Sequence, residues 1–217
     1  MSYPPGWRAA DPGAAPALMR ANPIAHFVTG HGGLNSTRIP MLVDLEGGGI
    51  EGGEPVRLRG HLNARNPQCE GLDGAEALVT FDGPAAYVSP NWRTEATRAG
   101  TIDYEEVQVR GRVRVVDDID WFRDMIDDMA ALIEPQHPEI GDYPVWRTTM
   151  APAGYVERLY PAIVAFTVEI TSLRMIAKLH QSFPEADRLS VAEHLGRSHR
   201  EQPRAVAQSI LRTLKPE

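Results

Sequence analysis

The sequence predicts an α+β protein, a small β-barrel with helices that cover it late in the chain. Three observations favour this class. Short apolar and β-branched runs, separated by turns that contain glycine or proline, occupy much of the chain before Asp117. The clearest run, residues 104–116, alternates valine on one face with arginine on the other. Helical spacing of apolar residues becomes common only after Asp117.

The predicted strands are short and follow one another closely. They cover residues 24–29, 36–45, 56–59, 75–81, 85–89, 104–116 and 163–173. Asp82-Gly83-Pro84 is predicted to form a tight hairpin turn between two of them. Gly111, in the middle of the clearest strand, indicates either a bulge or a close approach of another backbone.

Helices are predicted over residues 14–21, from the cap Asp117-Asp118 to about residue 133, and over residues 152–160, 184–195 and 203–214. Asp11 is a candidate cap for the first helix, with Pro12 at its first position. The proline-rich residues 1–12 are expected to lie extended on the surface. The glycine-rich residues 46–54 predict a mobile hairpin tip rather than a phosphate loop, because no helix follows them. Residues 1–217 are expected to form one domain, with a helical segment from about residue 184.

Composition excludes several classes of function. The chain has 217 residues and a formal net charge of −7, which argues against a broad nucleic-acid-binding face. Its single cysteine, Cys69, excludes an internal disulfide and a metal cluster built only from cysteines. No apolar run reaches membrane-spanning length, and the first residues do not resemble a secretory signal. A cytoplasmic protein without membrane or direct DNA contact is therefore expected.

One polar corner, Gly60-His61-Leu62-Asn63-Ala64-Arg65-Asn66-Pro67-Gln68, follows the predicted strand 56–59. Gly60 allows a bend, and Pro67 would stop a helix begun at His61. His61 is thus predicted to lie between a strand end and a short helical turn. Such a histidine could ligate a metal or bind an anion, or could be a partly buried residue bonded to a carbonyl.

Four motifs in this order resemble the PaiB-type proteins. They are Gly60-His61-x-x-Ala64-Arg65-Asn66-Pro67-Gln68, Gly83-Pro84-x-Ala86-Tyr87-Val88-Ser89-Pro90-x-Trp92, Tyr104-x-x-Val107-x-Val109-x-Gly111 and Lys178-Leu179-x-Gln181. Tyr3-x-Pro5 and Asn22-Pro23 also fit. The resemblance implies a split β-barrel of the flavin-binding kind, a homodimer with cofactor pockets at the subunit interface, and a label as an FMN-binding negative transcriptional regulator.

The same family includes the piperazate synthases, which hold haem and close an N–N bond in an N-hydroxylated ornithine. There the Gly-His motif supplies the axial ligand, which would be His61 here. This chain departs from the common pattern at five positions, one of which is Gly100, where proline is usual. It has Cys69 and Ile102 where tryptophan is common, Asp103 where asparagine is usual and His180 where serine is usual.

The first hypothesis is a haem b enzyme that acts on an N-hydroxylated amine or amino acid. Ferric iron on His61 would act as a Lewis acid toward the N–OH oxygen, hydroxide would leave, and an amine of the same substrate would attack the nitrogen. Asp103, His180 and Tyr104 are the predicted catalytic residues, with Asp103 or His180 moving the proton. The remaining predicted cofactor-binding residues are Asn63, Arg65, Asn66, Gln68, Ser89, Trp92, Lys178 and Gln181.

The second hypothesis is an FMN-binding regulator or flavin-binding protein. In it the arginine face of residues 104–116, or Arg65 and Lys178, would hold the FMN phosphate. A third possibility is a barrel without a cofactor that acts through its dimer surface. The changes in the expected pocket, beside an intact Gly-His motif, favour the enzyme.

Overall fold

The computed structural model describes residues 8–9, 12–48, 53–94 and 98–214. Its helices are α1 (Ala15–Ala21), α2 (Ile119–Ile133), α3 (Tyr155–Leu159), α4 (Glu185–Gly196) and α5 (Glu201–Arg212). Its strands are β1 (Arg8–Ala9), β2 (Ile24–Thr29), β3 (Asn35–Pro40), β4 (Leu42–Leu45), β5 (Pro55–Asn63), β6 (Glu76–Val88), β7 (Thr101–Val116) and β8 (Ile163–Lys178). The motif residues Tyr3 and Pro5, the candidate cap Asp11 and residues 49–52, where a hairpin tip was predicted, lie outside the described residues.

The strands form one sheet in the order β3-β2-β6-β7-β8-β5-β4, and β1 pairs with β8. The pairs β1·β8, β2·β3, β2·β6, β4·β5 and β5·β8 are antiparallel. One sheet with antiparallel strand pairs and five α-helices among the described residues confirms the predicted class, a β-barrel with helices. Some neighbouring strands, such as β5 and β8, are distant from each other in the chain. The sequence alone did not predict that they pair.

The residues group into two compact units. The larger unit contains Gly13–Phe81 and Gln108–Leu173, and the smaller contains Met1–Pro12, Asp82–Val107 and Arg174–Glu217. Strands β6, β7 and β8 contribute residues to both. The expectation of one domain stays a prediction.

In the larger unit, α2 packs on the sheet through the stripe of apolar residues that helical spacing predicted. Phe122, Met125 and Met129 are buried there with Leu42 and Ala165. The carboxylate of Asp118 starts the helix, since it accepts hydrogen bonds from the backbone N–H groups of Asp120 and Trp121 at 2.9 and 3.0 Å. The predicted helix and its cap are confirmed.

In the smaller unit, α4 and α5 pack against each other and against the last residues of β6 and β8, including Val88 and Ala177. Their buried residues include Val191, Leu195, Val206 and Ile210, which join Val88 of β6 in one apolar cluster. The two predicted C-terminal helices are therefore confirmed within two residues at each end.

The predicted hairpin turn at Asp82-Gly83-Pro84 is wrong, since β6 runs continuously through it. Gly83 is not among the glycines with positive φ, whereas the turn type expected there needs positive φ at its central residues. Instead, the buried positions of β6 have odd numbers up to Gly83 and even numbers, Ala86 and Val88, after it. The alternation thus slips by one residue near Pro84.

Two other boundaries differ from the prediction. The strand predicted over residues 36–45 is two strands in the structure. β3 ends at Pro40 and β4 begins at Leu42, and the side chain of Met41 between them is buried. The strand predicted over residues 56–59 continues to Asn63, so His61 lies within β5 rather than after its end. Cross-strand pairing with β8 from Arg57 to Asn63 holds this segment extended and overrides the bend that Gly60 allows.

Candidate functional site

Four of the predicted site residues line one cavity of about 270 Å³ in the smaller unit. They are Asp103, Lys178, His180 and Gln181. The other lining residues are Arg93, Arg98, Ala99, Gly100, Thr101, Ser182 and Phe183. The first residues of β7 and the turn after β8 thus bring together motifs that are more than seventy positions apart in sequence.

The turn after β8 is built by Gln181 and His180. The side-chain amide of Gln181 accepts from the backbone N–H of Leu179 and donates to the carbonyl of Ala177, both at 2.7 Å. His180 has φ of 60°, a left-handed conformation that non-glycine residues adopt infrequently. Gln181 therefore stabilises the turn, and the turn directs His180 inward, where it is 3% exposed.

A buried hydrogen-bonded chain runs through the wall of the cavity. The carboxylate Oδ2 of Asp103 lies 2.5 Å from Nδ1 of His180, and Nε2 of His180 lies 3.2 Å from Nε of Arg93. All three residues are more than nine-tenths buried. Two of the predicted catalytic residues are thus in contact, although both ring nitrogens of His180 are already engaged.

Arg93 is held on three sides. Its Nε reaches His180, its Nη1 donates to the carbonyl of Ala99 at 3.3 Å, and its guanidinium lies 4.5 Å from the ring centroid of Phe183. Its Nη2 is buried and has no hydrogen-bond partner among the described residues, and the same is true of Oδ1 of Asp103. Buried groups of this kind require a partner, which a bound ligand can supply.

Two further cations line the cavity. Lys178 Nζ donates to the hydroxyl of Thr101 and, at 2.6 Å, to the carbonyl of Ile102. The guanidinium of Arg98 lies 5.5 Å from the ring centroid of Phe183. Among the described lining residues, the cavity thus combines three cations with one carboxylate, and that carboxylate is bonded to His180. This donor set favours an anion, and a phosphate in particular.

Thr94 ties the Arg93 segment to α4. Its backbone N–H donates to Oδ1 of Asp187 at 2.8 Å, and its hydroxyl bonds to the same oxygen. The hydroxyl of Thr94 is the main cause that lowers the pKa of Asp187 from its ordinary value. The carboxylate therefore stays ionised and anchors the chain directly after Arg93.

The predicted corner residues lie in the larger unit and do not line this cavity. Asn63 and Asn66 accept from the backbone N–H groups of Arg65 and Gln68, both at 2.9 Å. The buried side chain of Gln68 donates to the carbonyl of Phe27 at 3.1 Å. Asn63 and Asn66 therefore shape the turn itself, and Gln68 ties it to β2. Their assignment to a cofactor stays a prediction, as does that of the exposed Arg65.

His61 packs on a buried aromatic residue of α2. Its ring centroid lies 5.8 Å from that of Phe122, edge to face, and its Nδ1 is buried without a partner among the described residues. Burial lowers the pKa of His61, so the ring is neutral near pH 7. A metal-bound histidine ordinarily donates its other ring N–H to a carboxylate or carbonyl. The role of His61 as an axial ligand stays a prediction. Burial also raises the pKa of the Cys69 thiol, which disfavours a thiolate ligand there.

The remaining predicted residues have local roles. Ser89 accepts from the backbone N–H of Asn91 at 3.3 Å and begins a short helical turn. Trp92 stacks on His194, with ring centroids 5.4 Å apart, and packs against the apolar cluster of α4 and α5. Tyr104 follows Asp103 on β7, so alternation places it on the opposite face of the strand. Their functional assignments are not tested by these contacts.

A second, wider cavity of about 730 Å³ lies in the larger unit between β4, β5 and α2. Two of its arginines, Arg57 and Arg59, each bond to a carboxylate oxygen of Asp44 at 2.8 Å. Arg59 also reaches Asp128 at 2.9 Å. These cations are already neutralised by the protein, so this cavity is the weaker candidate for an anionic ligand.

Sequence reasoning missed Arg93, Arg98 and Thr101. Arg93 directly follows the second PaiB-like motif, but nothing in the sequence distinguishes it from the other arginines of the chain. Its burial beside His180 depends on the pairing of distant segments.

The sequence of residues 1–172 matches a family model described as "Putative FMN-binding domain". The chain belongs to this FMN-binding-domain family. The match covers well over half of the chain and confirms the resemblance to PaiB-type proteins.

The chain is also similar to individual proteins and to solved structures. The chain is 27% identical over 218 residues to the uncharacterized protein AN0679 of Emericella nidulans, covering 82% of this chain and 85% of the other. It is 26% identical over 149 residues to the protease synthase and sporulation protein PAI 2 of Bacillus subtilis, covering 68% of each. The structure of the FAD and heme binding protein from Mycobacterium smegmatis superposes with a TM-score of 0.53 at 14% identity, covering 79% of this chain and 73% of the other.

Two further properties concern only the part of the chain that the structure describes. There, no group of three or more histidine, cysteine, aspartate or glutamate side chains could hold a metal ion. Within the same residues, no helix has both the length and the apolar character needed to span a membrane.

Proposed function

We propose that this protein binds FMN and that the cavity beside Arg93 receives the phosphate of the cofactor. The observation that carries the proposal is the buried Nη2 of Arg93, which has no partner among the described residues and belongs to a residue lining the cavity. Lys178 and Arg98 line the same cavity and add positive charge. Membership of the FMN-binding-domain family supports the choice of FMN among phosphate-bearing ligands.

The donors and acceptors of the cavity fit a ribityl phosphate. A phosphate oxygen would accept from Arg93, while a ribityl hydroxyl could donate to Oδ1 of Asp103, which is also buried without a partner among the described residues. A ligand with only acceptors would leave Asp103 unpaired, and one with only donors would leave Arg93 unpaired. Bound FMN would supply hydride and one-electron transfer, while the protein supplies binding and orientation.

The haem-enzyme hypothesis has less support. The mapped ligand His61 has a buried Nδ1 without the supporting partner that a metal-bound histidine usually has, as far as the described residues show. The comparison with a protein that binds both FAD and haem, at 14% identity, supports the fold alone. An amine or amino-acid substrate and an N–N bond-forming reaction therefore stay predictions from the resemblance.

Flavin titrations test the proposal directly. The purified chain is titrated with FMN and with riboflavin, which lacks the phosphate, and binding is followed by flavin fluorescence. We expect FMN to bind more tightly than riboflavin. Arg93→Met should weaken FMN binding about ten- to a hundredfold, because a hydrogen bond to a charged group contributes roughly 1.5–3 kcal/mol. Riboflavin binding should change little.

The matched control is Arg197→Met, which removes an exposed arginine of the same unit that pairs with Glu193. It should leave both affinities unchanged. Equal affinity of the wild-type chain for FMN and riboflavin would overturn the phosphate site. An absorption spectrum with a Soret band in the purified protein, and no flavin binding, would favour haem instead.

A further inference from the structure

The two polar departures from the PaiB-like pattern contact each other. The resemblance to the PaiB-type proteins implies asparagine and serine at the positions where this chain has Asp103 and His180, which are 77 positions apart. In the structure their side chains form one buried pair, with 2.5 Å between Oδ2 of Asp103 and Nδ1 of His180 and 1% exposure of each side chain. The two departures therefore form one coupled feature.

We propose that the Asp103–His180 pair positions Arg93 and thereby gives the cavity its preference for a phosphorylated flavin. The inference rests on the proposed function, since Arg93 is the residue that would touch the phosphate. His180 acts on Arg93 directly, and Oδ2 of Asp103 acts on it through His180, so both are positioning residues for the phosphate contact. The proposed ribityl contact of Asp103 uses its other oxygen, Oδ1, and concerns FMN and riboflavin alike.

The donors and acceptors around His180 determine which ring nitrogen carries its proton. The Nε–H of arginine can only donate, so Nε2 of His180 must accept from Arg93 across their 3.2 Å contact. The single proton of the neutral ring then lies on Nδ1 and is donated to Asp103. Asp103 thus selects the ring tautomer that Arg93 requires. An asparagine at position 103 could donate as well as accept and would not enforce this choice.

The consequence is a guanidinium that is held in place while its Nη2 has no partner among the described residues. Nε is bound to His180, Nη1 to the carbonyl of Ala99, and the face of the group lies against Phe183, which also stacks on His180 at 4.4 Å. Nη2 has no partner in the part of the chain that the structure describes, so both of its N–H groups are left for a ligand. Because these contacts hold the group before the ligand arrives, less conformational freedom is lost on binding.

The left-handed backbone of His180 fits the same interpretation. Its φ of 60° is unusual for a residue with a side chain, and such conformations persist where surrounding contacts impose them. Here the Gln181 bonds to Ala177 and Leu179 shape the turn, and the bonds to Asp103 and Arg93 hold the ring.

The test compares Asp103→Asn, His180→Ser and the double variant, with the ratio of FMN affinity to riboflavin affinity as the readout. Each single variant should lower this ratio about tenfold, because the orientation of one charge-assisted hydrogen bond is lost. The double variant should lower it no further, since both changes act on one pair. Thermal melts confirm that each variant is folded.

A conservative variant separates positioning from general damage. In His180→Asn, asparagine tolerates the left-handed backbone, and its side-chain oxygen can still accept from Arg93. It should retain more of the FMN preference than His180→Ser. If the variants weaken FMN and riboflavin binding equally, the pair is only structural and the inference is overturned. If the effects of the single variants add fully, the coupling is refuted.

The outcomes also distinguish the two proposals. If wild type prefers FMN and Arg93→Met abolishes the preference, but Asp103→Asn and His180→Ser do not, then only the positioning role fails. If the wild-type chain shows no preference for FMN, the phosphate site fails and the positioning role fails with it.

Discussion

The replacement His61→Leu tests how the residue at the centre of the haem hypothesis is held. In the structure, His61 lies within β5 against Phe122, and its buried Nδ1 has no partner among the described residues. Burial lowers the pKa of His61 from 6.5, the value expected in the unfolded chain. The folded protein therefore binds fewer protons than the unfolded chain below about pH 6.5. Its stability should fall as the pH is lowered through that range.

The contribution of His61 to the pH dependence of stability has an upper limit. At pH 7.5 an unfolded histidine is mostly neutral, and the contribution is close to zero. At pH 5.5 it is about nine-tenths protonated, so a ring that stays neutral in the folded state reduces the free energy of unfolding by at most about 1.4 kcal/mol. The partial exposure of His61 keeps the measured value below this limit. At pH 7.5 the variant should be at least as stable as wild type, because an unpaired buried polar group is unfavourable by about 1–3 kcal/mol.

The assay is urea unfolding followed by tryptophan fluorescence, with wild type and His61→Leu each measured at pH 7.5 and 5.5. The variant should lose less stability than wild type between the two values. The control His199→Leu changes an exposed histidine and should keep the wild-type pH dependence. If His61→Leu loses as much stability on acidification as wild type, the ring is solvated or paired and the interpretation is refuted. Loss of a Soret band in this variant would instead support the axial-ligand hypothesis.

Two further predictions concern residues of β7, one for stability and one for dimer formation. Gly111→Ala should lower the free energy of unfolding by about 1–3 kcal/mol in denaturant melts, because its Cβ would lie 2.3 Å from the backbone oxygen of Glu169. Gly30→Ala, with nothing within 4 Å, should change it by less than about 0.5 kcal/mol. The homodimer that the family resemblance implies should give a light-scattering mass near twice 23.9 kDa. Ile102→Glu, at an exposed apolar position (53%) on β7, should shift the protein toward monomer, and an unchanged dimer would exclude this face.

The local elements were predictable because they depend on neighbouring residues. The α2 stripe through Phe122 and Met125 and the Asp118 cap follow from spacing and side-chain chemistry. The valine face of β7 follows likewise, and the close backbone approach at Gly111 was one of the two alternatives its position indicated. The hairpin at Asp82-Gly83-Pro84 was wrong because pairing along β6 overrides turn-forming residue types.

The functional residues were predictable only in part. The motifs pointed to Asp103, Lys178, His180 and Gln181, which the fold does bring to one cavity. They also pointed to the Gly60–Gln68 corner, whose asparagine and glutamine side chains bond to their own turn and to nearby strands. No local pattern separates a polar residue that shapes a turn from one that faces a ligand.

From its sequence alone this chain is an FMN-binding-domain protein with a strand-rich body and two C-terminal helices, because periodicity and ordered motifs are properties of short segments. Only the tertiary structure shows that two residues 77 positions apart meet as the Asp103–His180 pair and hold Arg93, whose Nη2 has no partner among the described residues. That arrangement arises from the packing of β7, the turn after β8 and the segment after β6. Contacts between segments so distant in sequence leave no trace in the local order of residues.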